Sequence, residues 1–478
     1  MADALVRDLS APRTVHLVGI GGAGISAIGL ILAAMGHRVT GSDVNETSVW
    51  PTLEAAGIAP EVVAAADLFR SARAHQSDIV AHSTAFAPSA SDLEEAAAGG
   101  RTMLDRAGIL ALICAARSTV AVSGTHGKTS TTAMLATLLH GAGVDPSYLV
   151  GAVPLGLGVA ARWSVRSDST FVVEADESDG SFLRLGADVA VVTNVDEDHL
   201  DYWHDLDAIE AAFGRFLAAA RIGVVGLDDP RGEVVTDPRS LALATAHDAI
   251  TVGEGPEARW HIHDVVVHRL HTVFGLSDHG VEVGPVTVGT PGRHHARNAA
   301  VAIAVAVELG VPVDAAVAAL ASYCGVVRRF EVLGEVQGAT IVDDYAHNPG
   351  KVRALLASAQ EAGWGRVVAI FQPHRYSRTR DLATDFGSAL ALADVVAISE
   401  VYGAGEEPID GVSGLRLVEA VLDVRPWAEV AWVPTVADAA AWARHSLRPG
   451  DLCITVGAGD ISGLGRALVA ASSTRVGE

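Results

Sequence analysis

Lysine is almost absent from this chain: Lys128 and Lys351 are the only two in 478 residues, against 32 arginines. Positive charge is short in general, with 34 Lys+Arg against 57 Asp+Glu and a formal net charge of −23. Such a balance repels duplex nucleic acid and anionic membrane surfaces, so neither is expected as a partner. A small anion remains admissible, because helix N-termini bind one locally whatever the overall charge. Cysteine is scarce as well. Cys114, Cys324 and Cys453 form no CxxC pattern and lie beside apolar residues, which reads as buried thiols rather than a disulfide frame. The opening MADALVRDLSAPR lacks the apolar core of a secretory leader, and the most apolar long stretch, 299–321, is broken by Glu308, Pro312 and Asp314. These absences predict a soluble, cytoplasmic protein.

What is present is enough apolar material for sizeable cores, half of all residues, over a length that suggests about three domains. A β-rich run at Thr14–Gly19, an apolar helical stretch at Ile25–Met35 and a second strand at His37–Thr40 form a βαβ unit. Further strands are predicted at 78–82, 119–123, 171–174 and 189–194. From about 222 to 290, alternating runs separated by turns (TVGEGP, LSDHG, PVTVGT) read as β-hairpins. Helix returns at 294–322, and a last unit carries strands at 340–342, 367–371, 395–399 and 452–456. The expected fold is α/β in three domains. Residues 1–115 are Rossmann-like, 116–325 form a central P-loop ATPase-like domain with a β-hairpin segment, and 326–478 are again Rossmann-like.

The chemistry concentrates where one of the two lysines survives. The strand ending at Ser123 runs into Gly124-Thr125-His126-Gly127-Lys128-Thr129-Ser130 and then a helix of small and apolar residues. Glycines let successive N–H groups face one anion, the helix dipole adds to them, lysine supplies a point charge, and the following hydroxyl suits Mg²⁺. The spacing is GxxGKT, two residues tighter than the usual phosphate loop. Two other predicted strand ends carry acids, Glu174-Ala175-Asp176-Glu177-Ser178-Asp179 and Asn194-Val195-Asp196-Glu197-Asp198-His199. Ligands of open α/β sheets sit beyond the carboxyl ends of the strands, so Glu174 and His199 would reach the place of Thr129 and complete a Mg²⁺ site. Read alone, such acidic runs are ordinary solvated turns; the phosphate loop gives them a use.

A second glycine loop, Gly19-Ile20-Gly21-Gly22-Ala23-Gly24, fits GxGxxG between strand and helix, with Asp43 placed 19 residues past Gly24 for a ribose hydroxyl. It suits any diphosphate-linked ligand, and by itself would also suit an NAD(P)-dependent oxidoreductase. In the last third, Asp343-Asp344-Tyr345-Ala346-His347-Asn348-Pro349 ends a strand and opens a helix, and Gln372–Arg380 sets Arg375, Arg378 and Arg380 on one strand-end loop suited to carboxylate or phosphate.

The motifs VGIGGAGIS, SGTHGKTS, EADESD, NVDEDHLD, PGRHHARNAA, GVVRRFE, DDYAHNP and QPHRYSRTRD stand in the order found in the Mur ligases, and the chain resembles that family from about 15 to 460. The resemblance implies an ADP-forming acid–amino-acid ligase of peptidoglycan precursor synthesis, one that joins L-alanine to UDP-N-acetylmuramate with ATP through an acyl phosphate. A relative that adds another amino acid or a recycled peptide is the alternative, and a monomer or weak homodimer is expected. It implies a UDP-sugar site at Gly19, Gly21, Gly22, Ala23, Gly24, Asp43 and Ser83. An ATP site would comprise Gly124 to Ser130 with Asn298, Arg329 and Asp344, and the metal would be held by Thr129, Glu174 and His199. Tyr345, His347, His374, Arg375 and Arg378 would line the amino-acid site, with His347 a candidate proton acceptor. The chain departs from the family at His295, where asparagine is usual, and at Asn348–Lys351, where alanine-adding members carry His-Pro-Thr-Glu. Gly214 and Arg215 lie near the place of a lysine found in several relatives but absent from the alanine-adding branch.

Overall fold

The computed structural model describes residues 8–230, 232 and 234–475, built on three sheets. The chain divides into two compact units: residues up to 263, 275–286 and 297–323 form the first, and 264–274, 287–296 and 324 onward form the second. Among the described residues, no helix is long and apolar enough to cross a membrane.

The amino-terminal sheet is parallel, in the order Ala59–Val62, Arg38–Asp43, Thr14–Val18, Ile79–His82, Thr102–Asp105. Strand order reverses beside Thr14–Val18, so the crevice at its carboxyl end is where such a sheet receives a ligand. Both faces of that strand are covered, and its Val15, Leu17 and Val18 are fully buried.

His16 on the same strand is also fully buried, between the Thr40 hydroxyl at 2.9 Å and the Ser42 hydroxyl at 3.0 Å. Burial, with Arg73 adding to it, lowers its pKa to about 4. A histidine held neutral stabilises the fold above its unfolded pKa, and that stability is lost as pH falls from about 6.5 towards 4. His16→Gln should therefore reduce the loss of unfolding free energy between pH 7 and pH 5 by about 2 kcal/mol, measured by urea titration at both pH values. An unchanged difference would show that His16 is not the acid-sensitive group.

In the central sheet, Thr119–Ser123 lies between Val189–Val192 and Phe171–Glu174, all parallel and all but Glu174 buried. Parallel strands Ile222–Gly226 and Ile250–Gly253 extend one side, and Ser147–Leu149 extends the other. This corrects the hairpin reading over 222–253. That stretch is a strand–helix–strand crossover, with Asp237 capping Ser240 and Pro238 in the first turn of helix Pro238–Ala246. Three long consecutive strands, Trp260–Val267, Thr272–Asp278 and Val281–Val288, follow it.

The second unit holds a six-stranded sheet in the order Glu331–Val336, Ala339–Asp344, Asp451–Val456, Arg366–Phe371, Val395–Ile398, Glu429–Trp432. Only the first pairing is antiparallel. The helix expected after Asn348-Pro349 runs from Pro349 to Glu361, and the Asn348 side chain caps it by accepting from Lys351 N–H at 2.8 Å. Capping is thus the work of the asparagine at which this chain departs from alanine-adding members.

Candidate functional site

The phosphate loop forms as the sequence predicts, between strand Thr119–Ser123 and helix Lys128–Gly141. Gly124 and Gly127 adopt φ of 118° and 83°, values that side chains resist, and a Cβ at Gly127 would stand 2.6 Å from Asn298 Oδ1. Gly127 caps the helix with no side-chain hydrogen bond, which leaves the first-turn amides for an outside anion.

What holds the loop is the neighbouring acidic segment. His126 N–H donates to Asn194 Oδ1 and Asn194 Nδ2 donates back to His126 O, both at 3.0 Å. Thr125 Oγ1 donates to Asp196 O at 3.1 Å and accepts from Asp196 N–H at 3.0 Å, while His126 Nε2 lies 3.0 Å from Asp196 Oδ2. Asn194 and Asp196 are therefore structural clamps, a role the sequence did not disclose. Asn194→Ala strands the His126 amide, while the His126 carbonyl keeps the Thr193 hydroxyl, so we expect about a tenfold loss of nucleotide affinity with about 1–2 kcal/mol of destabilisation. Titration calorimetry and thermal melts would read both, and unchanged affinity would contradict the clamp.

Two acid groups flank the lysine. Glu174 Oε1 accepts from the Thr129 hydroxyl at 2.8 Å and Glu174 Oε2 from Gly151 N–H at 2.6 Å. This pair of oxygen donors at a helix start beside a phosphate loop fits Mg²⁺, which takes few protein oxygens and completes its shell with water and phosphate. His199 lies elsewhere in the acid set. Its Nε2 is 3.8 Å from Glu177 Oε1, and Asp176, Glu177 and His199 bring ligand atoms within 4.8 Å of one another. Glu177 is buried, and burial raises its pKa despite the opposing charge of Lys128, whose Nζ sits 2.6 Å from Glu177 Oε2. Glu177 was within a motif read from the sequence, yet its ion pair had no signal there.

In the amino-terminal sheet, Gly21 N–H donates to Asp43 Oδ2 at 2.8 Å and Val44 N–H to Asp43 Oδ1 at 2.7 Å. Asp43 thus shapes the glycine loop directly, beyond any ribose contact. Gly22 caps helix Ala23–Ala34 with no side-chain bond, again leaving first-turn amides open, and Ser83 Oγ lies 2.6 Å from where a Cβ on Gly19 would stand.

In the second unit, the expected residues gather past the carboxyl ends of the strands. Asp344 is buried and accepts from Phe330 N–H and Ala346 N–H, each at 2.8 Å; burial raises its pKa against the pull of Arg329. Arg328 and Arg329 stand over the Tyr345 ring at 4.8 and 5.6 Å. The His347 and His374 rings are 5.9 Å apart, His374 stacks on Tyr402 at 5.8 Å, and Arg378 Nη1 is 3.4 Å from His374 Nδ1. Arg375 holds φ 72°, a strained value that persists because its N–H donates to Tyr402 O at 2.8 Å. Tyr402 was missed, although a strand end followed by Gly403-Ala404-Gly405 was there to be read. His295 is buried with its pKa driven well below the usual value, by burial first and His294 next.

A glycine–lysine turn opening a helix at a parallel strand's carboxyl end defines a phosphate-loop nucleotide-binding protein. Three family profiles match in chain order: "Mur ligase family, catalytic domain" over residues 14–118, "Mur ligase middle domain" over 122–306 and "Mur ligase, glutamate ligase domain" over 328–459. The UDP-N-acetylmuramate–L-alanine ligase of Pelotomaculum thermopropionicum is 38% identical over 461 residues, 96% of this chain and 97% of that protein. The crystal structure of the UDP-N-acetylmuramate–alanine ligase of Thermotoga maritima is 26% identical with a TM-score of 0.78, covering 97% of this chain and all of that one. A murein peptide ligase from Psychrobacter arcticus is 25% identical with a TM-score of 0.61, covering 96% and 98% of the two chains. The chain belongs to the Mur ligase family, which sets aside the oxidoreductase reading of the first glycine loop.

Proposed function

We propose that this chain joins L-alanine to UDP-N-acetylmuramate and converts ATP to ADP and phosphate in doing so. The observation that carries the reading is Lys128 at the phosphate loop with the Thr129–Glu174 pair beside it, in a chain matched nearly end to end by an L-alanine ligase. The muramate carboxylate attacks the γ-phosphorus in line, ADP leaves, and an acyl phosphate forms. The amine of L-alanine then attacks the acyl carbon and phosphate departs. Catalysis of this kind is positioning and charge neutralisation. Lys128 and the first-turn amides of helix Lys128–Gly141 hold the phosphates, and Asn298 belongs to the same nucleotide site. Thr129 and Glu174 hold Mg²⁺, with His199 supporting from the acid set; the ion supplies charge neutralisation on the phosphates. Arg329 and Asp344 act on ATP.

Gly21 to Gly24 and the open amides of helix Ala23–Ala34 bind the UDP diphosphate, and Tyr345, His347, His374, Arg375 and Arg378 receive the amino acid. We assign residues 1–115 to the sugar nucleotide, 116–325 to ATP and 326–478 to the amino acid, and place the enzyme in the cytoplasm. His347 Nδ1 faces Tyr345 O at 3.0 Å and so carries the proton, leaving Nε2 as an acceptor; burial lowers the pKa to about 4. So weak a base suits His347 to orienting the amine by a hydrogen bond rather than to storing its proton.

Phosphate release from ATP should require both UDP-N-acetylmuramate and L-alanine, with the alanyl product found by mass spectrometry. Product from a peptide but not from alanine would move the assignment to a peptide-recycling ligase, and release needing neither substrate would make the chain a plain ATPase.

A further inference from the structure

The ammonium of Lys128 is fully engaged by its own chain. Nζ donates to Gly124 O at 2.9 Å and to Thr125 O at 3.3 Å, and the Glu177 carboxylate closes on it at 2.6 Å. The two carbonyls accept hydrogen bonds, and the carboxylate, whose buried oxygens take no hydrogen bond of good geometry, holds the ammonium as a close ion pair. The side chain is thereby turned back over the turn whose amides face the anion, and any phosphate that Lys128 serves must displace one of these partners. The two carbonyls belong to a loop fixed by Asn194 and Asp196. Glu177 is the partner that cannot stay, because an anionic phosphate brought to the same ammonium meets the carboxylate as a like charge.

Glu177 is also held from behind. Its backbone oxygen accepts from Trp203 Nε1–H at 2.9 Å, its side chain is 3% exposed, and His199 and Asp176 bring ligand atoms within 4.8 Å of its carboxylate. We propose that Glu177 is a displaceable counter-ion for Lys128, holding the ammonium until the polyphosphate of the nucleotide takes it over. The inference rests on the reading of this loop as the ATP site.

The consequence is a positioning role that weakens nucleotide binding. A lysine engaged elsewhere most of the time lowers apparent affinity by the fraction of time it is released. Neutral glutamine keeps the shape and abolishes the competition.

The test is titration calorimetry with the non-hydrolysable analogue adenylyl-imidodiphosphate, run in EDTA so that metal ligation does not contribute, on wild type, Glu177→Gln, Lys128→Met and the double variant. Glu177→Gln should bind at least about tenfold more tightly than wild type, and the gain should shrink to less than about threefold when Lys128 is methionine. Tightening of equal size in the Lys128→Met background would mean plain repulsion between Glu177 and the phosphates, and unchanged or weaker binding by Glu177→Gln would overturn the proposal outright. Failure of wild type to bind the analogue even with Mg²⁺ would instead remove the phosphate-loop reading beneath it.

A second readout uses the rarity of lysine. Acetylation by an N-hydroxysuccinimide ester, followed by peptide mass spectrometry, has only two lysine side chains to report. Lys128 should label several-fold faster in Glu177→Gln than in wild type, with Lys351 as internal standard, and Glu177→Asp, which keeps the charge, should restore slow labelling. If the glutamine variant does not fold, Glu177→Asp decides: labelling of Lys128 at the wild-type rate or slower supports the ion pair, and labelling as fast as that of free N-acetyl-lysine amide refutes it.

Discussion

A Lys128→Met enzyme is expected to lose about 10²–10³-fold in kcat, the scale found when one preorganised group at a developing charge is removed. The lysine is the only positively charged side chain that opens helix Lys128–Gly141, where the open amides converge. Within the loop no other side chain can substitute for it: His126 is tied to Asp196, and arginine is absent. Removing the ammonium also leaves the Glu177 carboxylate, 3% exposed, without its counter-charge. Breaking one side of such a pair costs about 3 kcal/mol or more of stability. The single variant therefore confounds chemistry with folding. Pairing it with Glu177→Gln separates them, since the double variant removes both charges and should recover most of the thermal midpoint while remaining as inactive as Lys128→Met. Turnover near wild type in that stable double variant would end the assignment of the loop as the ATP site.

The parts of this molecule legible in the sequence are those whose physics is local. A strand, a glycine turn and a helix start are contiguous at 119–141, so the phosphate loop could be read with its lysine and threonine in place, and the same holds for Gly19–Ala34 and for the capped helix at Asn348-Pro349. Strand ends bearing acids could be found, but which acid meets which partner is set by neighbours in the sheet. Glu174 reaches Thr129 because strand Phe171–Glu174 pairs directly with Thr119–Ser123. His199, on the next segment, reaches Glu177 instead. The stretch 222–253 misled because its helix is short and its strands are buried by neighbours far along the chain; alternation and turns there imitated hairpins. Tyr402 and the Asn194 clamp depend on approaches between loops distant in sequence, which spacing does not encode.

Glu174→Gln should be nearly as damaging as loss of the lysine, with about a 10²-fold fall in kcat, while leaving the fold intact. The argument is one of hydrogen-bond direction. Glu174 accepts twice, from the Thr129 hydroxyl and from Gly151 N–H. Gly151 can only donate, so a glutamine must turn its carbonyl oxygen to that amide and its NH₂ to Thr129. The hydroxyl then rotates to accept, and both hydrogen bonds survive, which is why the thermal midpoint should move little. The same rearrangement removes the carboxylate charge, takes one of the two lone pairs of the Thr129 hydroxyl and turns an NH₂ towards the place of the Mg²⁺ ion. One isosteric change thus removes one oxygen donor and weakens a second. The half-saturating Mg²⁺ concentration at fixed ATP should rise at least about tenfold, whereas Thr129→Val, which leaves the carboxylate free, should shift it less. Normal turnover of Glu174→Gln with an unshifted Mg²⁺ titration would show that the metal is held elsewhere, and the group of Asp176, Glu177 and His199 would then be the place to look.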